Sequence, residues 1–377
     1  AGEVRALAGV EYREEYVAAP HLITPILWNA FPKRNVKAAF TEIQVPVVAP
    51  KHHWLLVNKL DLNFAARSEG YSDIKGGQVL TPRYGVAWRP VAALLLRGSY
   101  GEGFLVPNLY QTLPVATTLF PVWSTGQTPF DTLRGNQNLT GQTYTSFGGG
   151  NPGLRRQTSE NWTYGAVLDV PKVKGLSLSF DYYDNRYDDR FGTISALTDR
   201  IAYAPETVIR GPNLPGDLPG WAGPITGIIS KTINIAEART TGYNFGVRWH
   251  RSTPWGELSL SSTGEKMLVN LQRLFPNAPV VASAAAKYRP MRITSAINWS
   301  RGAWDAGVTS IYGGRYWADS NNTTLAPSGY APSTTRYDVN ASYDFGKKRG
   351  FGDRGSSWWR RALHDTKVAV TVIDVAN

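Results

Sequence analysis

Apolar and polar residues alternate along most of this chain with a period of two. In one segment, Leu60, Leu62 and Phe64 share one side of the chain, while Asp61 and Asn63 share the other. The segments 162–170, 176–182, 243–249 and 337–345 repeat this arrangement. Such alternation predicts β-strands with one apolar and one polar face.

The pattern predicts about thirteen strands of roughly ten to fifteen residues, close to the length at which a tilted strand spans a membrane. They cover residues 4–14, 37–47, 56–69, 79–89, 92–103, 158–170, 175–187, 235–250, 255–269, 286–299, 303–315, 335–345 and 366–376. Helical periodicity is found in one short stretch only, around 358–364. The predicted fold class is therefore all-β.

The connections between these strands alternate between short and long. Residues 171–174 and 301–302 are short connections, whereas 104–157 and 188–234 are very long. Outer-membrane barrels combine short periplasmic turns with long extracellular loops, and a soluble sandwich has no reason to keep this order. The pattern predicts a transmembrane antiparallel β-barrel in a Gram-negative outer membrane.

The chemistry of the two faces favours the same barrel. The apolar faces begin or end in Trp, Tyr or Phe, as aromatic girdles at the membrane surfaces require. The opposite faces are polar and are expected to line a wet lumen. Their charged residues include Asp61, Arg67, Arg97, Asp181, Arg248 and Asp338.

The number of strands has a consequence for the ends of the chain. The first and the last strand both run outward, so the number of strands is odd. An odd number of antiparallel strands cannot close into a barrel and leaves an unpaired edge, which lipid does not tolerate. The whole chain, 1–377, is therefore expected to be a single barrel domain that is incomplete at both ends.

Composition and charge limit the kinds of site and partner that the chain can have. The chain has no cysteine, which excludes disulfides and thiolate metal sites. Its formal charge of +11 comes from scattered Lys and Arg, so nucleic acid is not the expected partner. Lipopolysaccharide near the loops, or an anionic cargo in the lumen, explains the charge better.

Two motifs carry a resemblance to a known family. The positions that match in 96–109 are Gly101, Gly103, Phe104, Pro107 and Leu109. Those that match in 151–162 are Asn151, Pro152, Leu154, Ser159 and Asn161. With the segments 176–190 and 236–243 they resemble, in order and spacing, the C-terminal part of the barrel of TonB-dependent outer-membrane receptors, which has about 22 strands. Leu105 and Val106 depart from the family motif, and so do Arg156 and Gln157.

The resemblance implies a receptor that imports a scarce nutrient with energy from TonB and that carries no cofactor. The family's plug domain and TonB-contacting segment have no counterpart in these residues. Because 108–150 contain no histidine, haem is disfavoured as the ligand. A ferric siderophore is the first expectation, and oligosaccharide or cobalamin remain alternatives.

Ligand-binding residues are expected in the lumen and the long loops. Arg67, Arg97 and Arg248 either attract an anionic ferric chelate or pair with acidic groups of the wall or the plug. Tyr110, Trp123 and Trp221 either stack on a ligand or pack within the loops and against lipopolysaccharide.

Neither catalytic nor metal-binding chemistry is predicted, so the chain is not expected to be an enzyme. The five histidines, including the adjacent His52 and His53, lack metal-ligand spacing. Asp181 and Asp184 should point to opposite faces of a strand, which rules out a glycosidase pair. A passive porin and a soluble all-β protein are the competing hypotheses.

Overall fold

The computed structural model describes residues 2–17, 33–50, 54–74, 78–112, 116–123, 130–194, 197–273, 275, 277–282, 290–317, 330–345 and 366–374. Thirteen long strands follow one another in these ranges: β1 (Arg5–Tyr16), β2 (Lys33–Val48), β3 (Lys59–Tyr71), β4 (Val79–Val91), β5 (Leu94–Leu105), β6 (Gln157–Asp169), β7 (Leu176–Gly192), β8 (Ile233–Thr253), β9 (Gly256–Arg273), β10 (Met291–Arg301), β11 (Trp304–Gly313), β12 (Thr334–Asp344) and β13 (Lys367–Val372).

Each of these strands pairs antiparallel with the next, so that the sheet follows the order of the chain from β1 to β13. The predicted all-β fold and the thirteen strands are confirmed. The strand β7 is longer than predicted because 190–192 still pair with 233–235 of β8. The strand β13 ends earlier, and Asp374, just beyond it, has a φ of 62° in the left-handed region.

Some predictions lie outside the described residues. They are the short helix around 358–364, residues 286–289 of the tenth predicted strand, residues 375–376 of the last one, and the His52–His53 pair.

One face of the sheet, here called the apolar face, carries a row of aromatic rings. Register places Phe64, Tyr84, Tyr100 and Trp162 side by side on β3 to β6. Neighbouring ring centroids lie 6.2, 6.1 and 4.4 Å apart. Tyr84 nevertheless remains 48% exposed and Phe64 41%. A soluble sandwich would bury such a row against a second sheet, whereas a membrane barrel leaves it to lipid.

The other face, here called the polar face, holds all six charged residues that alternation assigns to it. On this face, glycines let long side chains meet across an intervening strand. Arg97 of β5, Gly165 of β6 and Asp181 of β7 lie in one row, and Arg97 Nε donates to Asp181 at 2.8 Å. A Cβ at position 165 would lie 1.8 Å from Asp181 Oδ1.

From β4 to β12 the short and long connections alternate as predicted, whereas the connections 49–58 and 345–366 are longer than this alternation requires. Two residues join β8 to β9 and two join β10 to β11. Gly256 at the start of β9 and Gly302 in the second of these turns have a positive φ. Residues 106–156 and 193–232 form the long connections, and both leave the sheet at the same end.

The two long connections fold together into one unit, here called the loop module. Its four-stranded sheet takes Ala116–Trp123 and Thr143–Gly149 from the first connection, and Val208–Arg210 and Ile225–Ile229 from the second. Thr143–Gly149 and Ile225–Ile229 run parallel and so join the two connections. Its apolar core consists of Leu139, Leu197, Ile201, Ile225 and Ile228.

Several short helices and strands lie outside the thirteen strands of the sheet. The loop module contains α1 (Leu109–Thr112), α2 (Leu197–Tyr203), the 3-10 turns Thr132–Arg134 and Pro205–Thr207, and the pair Phe130–Asp131 with Gln137–Asn138. Val281–Ala282 adds to β9, and Tyr316–Trp317 pairs with Tyr330–Ala331. The expectation of a single helical stretch, around 358–364, was wrong, because α2 places Leu197 and Ile201 one turn apart in the core of the loop module.

Candidate ligand-facing surface

Buried ion pairs fasten the two connections of the loop module to each other. Asp131 is fully buried, and its carboxylate accepts hydrogen bonds from Arg210 at 2.7 and 2.9 Å. Arg134 forms a bidentate pair with Asp217 and donates to the carbonyl of Ala222 at 2.7 Å. Hydrogen bonding from Arg134 lowers the pKa of Asp217 below its ordinary value. The two connections are therefore joined by charge as well as by the sheet.

The aromatic residues predicted to contact a ligand have different surroundings. Trp221 packs under the guanidinium of Arg134, with 5.6 Å from that group to the ring centroid, and fills the space above Gly135. It therefore packs within the loop module. Tyr110 on α1 is 38% exposed and is available to a ligand. The side chain of Trp123 lies outside the described residues.

The first family motif ties the loop module to the sheet. Pro107 is buried, and its carbonyl accepts a hydrogen bond from Arg34 at 2.7 Å. Leu109 is buried at the start of α1. Phe104 meets the ring of Tyr71 edge-on, with centroids 6.1 Å apart. These residues anchor the chain where it leaves β5.

The second motif meets the first in space. Gly103 and Gly101 of β5 stand opposite Ser159 and Asn161 of β6, and a Cβ at Gly103 would lie 2.8 Å from Ser159 Oγ.

Ahead of β6, three further motif positions shape the turn that enters the strand. Asn151 donates from its side chain to the carbonyl of Thr232 at 3.0 Å. Pro152 is exposed in the turn that follows, and Leu154 is buried. The motif positions of both groups thus organise the base of the loop module.

One group of charges on the polar face is fully paired, and we call it the paired patch: Glu11, Arg13, Glu15, Arg34, Arg67 and Glu69. Arg67 donates to Glu69 at 2.6 Å and to Glu11 at 2.8 Å. Arg13 donates to Glu11, Glu15 and Glu69 at 2.6 to 2.9 Å. Arg67 was expected either to attract a ferric chelate or to pair with acidic groups, and in the structure it pairs with carboxylates of the barrel wall. Arg97 is likewise engaged, by Asp181.

A second group on the polar face has a different character, and we call it the open patch: Ser179, Asn244, Arg248, Thr263, Glu265, Arg292 and Thr294. These residues line a pocket of about 360 Å³. Arg248 and Arg292 are exposed, and neither side chain forms an ion pair or hydrogen bond with another described residue. Arg292 was missed from the sequence, although its alternation with Thr294 within the tenth predicted strand would have placed it on this face.

The carboxylates considered for catalysis are separated, as predicted. Asp181 pairs with Arg97 on the polar face, and Asp184 pairs with Arg239 on the opposite face at 2.7 and 2.9 Å. In the described ranges, no group of three or more acidic or histidine side chains is arranged to hold a metal ion. None of the helices in these ranges is long and apolar enough to cross a membrane.

The sequence profile of the family described as TonB dependent receptor-like, beta-barrel matches residues 2–359. The chain belongs to this family. Its members are transport receptors of the outer membrane, and the barrel, the outer-membrane location and the resemblance to this family are thereby confirmed. Among curated proteins, none matches the chain.

Solved structures share the fold at low sequence identity. The siderophore receptor PirA from Acinetobacter baumannii is 14% identical over 85% of this chain and 40% of its own, with a TM-score of 0.55. The ferric enterobactin receptor PfeA from Pseudomonas aeruginosa is 14% identical over 90% and 43%, with a TM-score of 0.60. The FrpB iron transporter from Neisseria meningitidis is 11% identical over 100% and 48%, with a TM-score of 0.56. The chain thus spans less than half the length of these three receptors.

Proposed function

We propose that this chain is the barrel wall of a receptor that imports a ferric siderophore across the outer membrane with energy from TonB. The observation that carries the proposal is the family match over residues 2–359. Coupling to TonB is assigned to a plug domain outside this chain. Outer-membrane lipid and lipopolysaccharide are assigned to the apolar face, and no nucleic acid is involved.

The charge of the polar face supports an anionic cargo. Ferric complexes of catecholate and carboxylate ligands carry negative charge, and guanidinium groups bind such oxygens well. Arg248 and Arg292 are exposed on this face, and neither forms an ion pair with a described residue. The fold neighbours PirA and PfeA are named as a siderophore receptor and a ferric enterobactin receptor, which adds to the same preference.

The loop module supports capture of a ligand before transport. It is held by its own core and by the Asp131–Arg210 and Arg134–Asp217 pairs, so that it presents a preorganised surface. Tyr110 is the predicted aromatic contact that this surface leaves exposed. Binding of a ligand to such a surface costs less free energy, because the loops are already ordered.

A binding titration tests the ligand class. The full-length receptor is purified in detergent and titrated with a ferric catecholate, a ferric hydroxamate, cobalamin and a malto-oligosaccharide, and tryptophan fluorescence is followed. We expect saturable quenching by a ferric siderophore and none by the iron-free compound. Saturable binding of cobalamin or oligosaccharide alone would correct the ligand. No binding, together with steady ion conductance in lipid bilayers, would replace the receptor by a porin.

A pair of tyrosine variants locates the binding surface. Tyr110→Ala in the loop module is expected to weaken siderophore binding by about threefold or more, since aromatic contacts dominate many interfaces. Tyr164→Ala is the control, because Tyr164 is 51% exposed on the apolar face and away from the polar lumen. Equal affinities of the two variants would remove Tyr110 from the site.

A further inference from the structure

The two arginines of the open patch are unpaired because nearby carboxylates are held by other residues. Glu265 of β9 stands directly opposite Arg292 of β10 in the register. Its carboxylate nevertheless accepts a hydrogen bond at 2.9 Å from the hydroxyl of Tyr183, which lies two strands away on β7. Tyr183 reaches it across Gly242 of β8, where a Cβ would lie 2.5 Å from the hydroxyl oxygen. Glu265 is therefore turned toward β7 and away from Arg292.

A second carboxylate near the open patch is also turned away from it, toward the strands that precede β7. Asp181 of β7 stands opposite Asn244 of β8, and Asn244 lies two residues before Gly246 in the same strand. Arg97 of β5 binds it from the far side, across Gly165. That pair draws Asp181 away from the open patch. Asp169, which shares a row with Ser177 and Arg248, lies 3.9 Å from Arg89 on β4.

The floor of the open patch is shaped to admit a ligand. Thr263 lies at its centre, opposite Gly246 on one side and Thr294 on the other. A Cβ at position 246 would lie 2.6 Å from Ser179 Oγ, so only glycine leaves the floor open there. Hydroxyl groups thus lie between Arg248 on one side strand and Arg292 on the other. Exposed guanidiniums combined with hydroxyl donors suit an anion with several oxygens.

From this geometry we infer that the open patch is an anion-binding site on the barrel wall, in addition to the surface of the loop module. The site binds small polyanions that present carboxylate or catecholate oxygens. During import it binds the transported ligand after that ligand has left the loop module. The role in passage rests on the proposed function, whereas the binding of anions does not. Arg67 and Arg97 lack this role because carboxylates already occupy them.

This chain contains no cysteine, so once any cysteine elsewhere in the full-length receptor is replaced by serine, a single introduced thiol reports on one position only. In the full-length receptor, Thr263→Cys places the thiol in the open patch, and Ser99→Cys places it beside the paired Arg97 as a matched control. Both positions are exposed on the polar face. Each thiol is reacted with an anionic and with a cationic methanethiosulfonate reagent, and the ratio of the two rates reports the local potential.

We expect the ratio of anionic to cationic rate at position 263 to exceed that at position 99 by about fivefold at moderate salt, because two guanidiniums close by outnumber the single carboxylate of Glu265. Arg248→Gln with Arg292→Gln should remove the excess, and Arg248→Lys with Arg292→Lys should keep it. Millimolar citrate should slow the anionic reagent at position 263 and leave position 99 unchanged.

Equal ratios at the two positions, or no protection by citrate, would overturn the site. A thiol at position 263 that reacts only after unfolding would also overturn it, because another part of the receptor then covers the patch. The test uses citrate and no siderophore. Failure of siderophore binding in the titration above would therefore leave the anion site standing, and failure here would leave the proposed function standing.

Discussion

Arg67 on β3 and Arg248 on β8 occupy equivalent places in the alternation, yet their surroundings differ completely. Arg67 belongs to the paired patch, where Glu11 and Glu69 bind its guanidinium at 2.8 and 2.6 Å. Arg248 belongs to the open patch, where no described side chain pairs with it. The difference arises from neighbouring strands, since β1 and β3 supply acids to Arg67 while the acids near Arg248 are bound elsewhere.

This comparison separates two uses of charge on one face of a sheet. Paired charges hold strands together and present little net field to a ligand, because each guanidinium faces a carboxylate. Unpaired charges contribute little to stability and remain available to a dissolved anion. Substitutions in the paired patch should therefore change stability, whereas those in the open patch should change binding.

The largest effect is expected for Glu69→Gln. Glu69 is 6% exposed and binds Arg13, Arg67 and Tyr71, so the change removes one buried carboxylate from two guanidiniums and leaves Glu11 as the acid that they share. We expect a loss of about 2 kcal/mol in the free energy of unfolding, less than for a fully buried pair because solvent screens the arginines. Urea unfolding in detergent measures it.

Glu14→Gln serves as the matched control for Glu69→Gln. Glu14 is 48% exposed and forms only a 3.4 Å pair with Lys33. A change of stability below about 0.5 kcal/mol is expected there. If both substitutions proved equally harmless, the paired patch would not stabilise the sheet.

A somewhat smaller effect is expected for Gly165→Ala, which inserts a methyl group between Arg97 and Asp181. The new Cβ would lie 1.8 Å from Asp181 Oδ1, so the ion pair must shift, at a cost of about 1.5 kcal/mol. In an Asp181→Ala background the part of this cost that comes from the ion pair should disappear, while the contact of the new Cβ with the carbonyl oxygen of Phe180, at 2.9 Å, remains. Gly85→Ala is the control, because its nearest atom would lie 3.6 Å away. Equal losses at positions 165 and 85 would contradict contact across the glycine.

The Arg97–Asp181 pair itself should contribute less. Arg97 is 47% exposed, so solvent screens its attraction to Asp181. A double-mutant cycle with Arg97→Gln and Asp181→Asn is expected to give a coupling below about 1 kcal/mol. A coupling of several kcal/mol would mean that the paired charges are shielded from water by another part of the receptor.

The smallest effect on stability is expected in the open patch. Arg248→Gln and Arg292→Gln remove no ion pair within the described part of the chain, so each should change the free energy of unfolding by less than about 0.5 kcal/mol. The same urea titration measures this. A marked loss for either variant would show that the arginine is paired in the full-length receptor, and the contrast between the patches would vanish.

Alternation predicted the strands and their faces well, since a period of two requires only the sequence of one strand. It placed Arg67, Arg97 and Arg248 on the same face. It could not show that the first two are paired, because pairing depends on which residues of other strands share a row. Gly165 illustrates this: its role appears only when β5 and β7 are aligned on either side of β6.

The loop module was beyond sequence reasoning for a different reason. Its central pairing joins Thr143–Gly149 to Ile225–Ile229, which are far apart in the chain and run parallel. The module's strands are short, and α2 has only seven residues, so neither period is sustained. Trp221 could be recognised as an aromatic residue in a long loop, but its contact with Arg134 depends on how the two loops fold together.

The central claim is that this barrel belongs to a receptor that is driven by TonB and imports an anionic ferric chelate. Uptake of radioactive iron as a ferric siderophore, in host cells that lack their own siderophore receptors, tests it most directly. With the full-length gene expressed, we predict accumulation in cells that contain TonB and none in otherwise identical cells without it. Equal accumulation in both strains would contradict the account and would identify a passive pore.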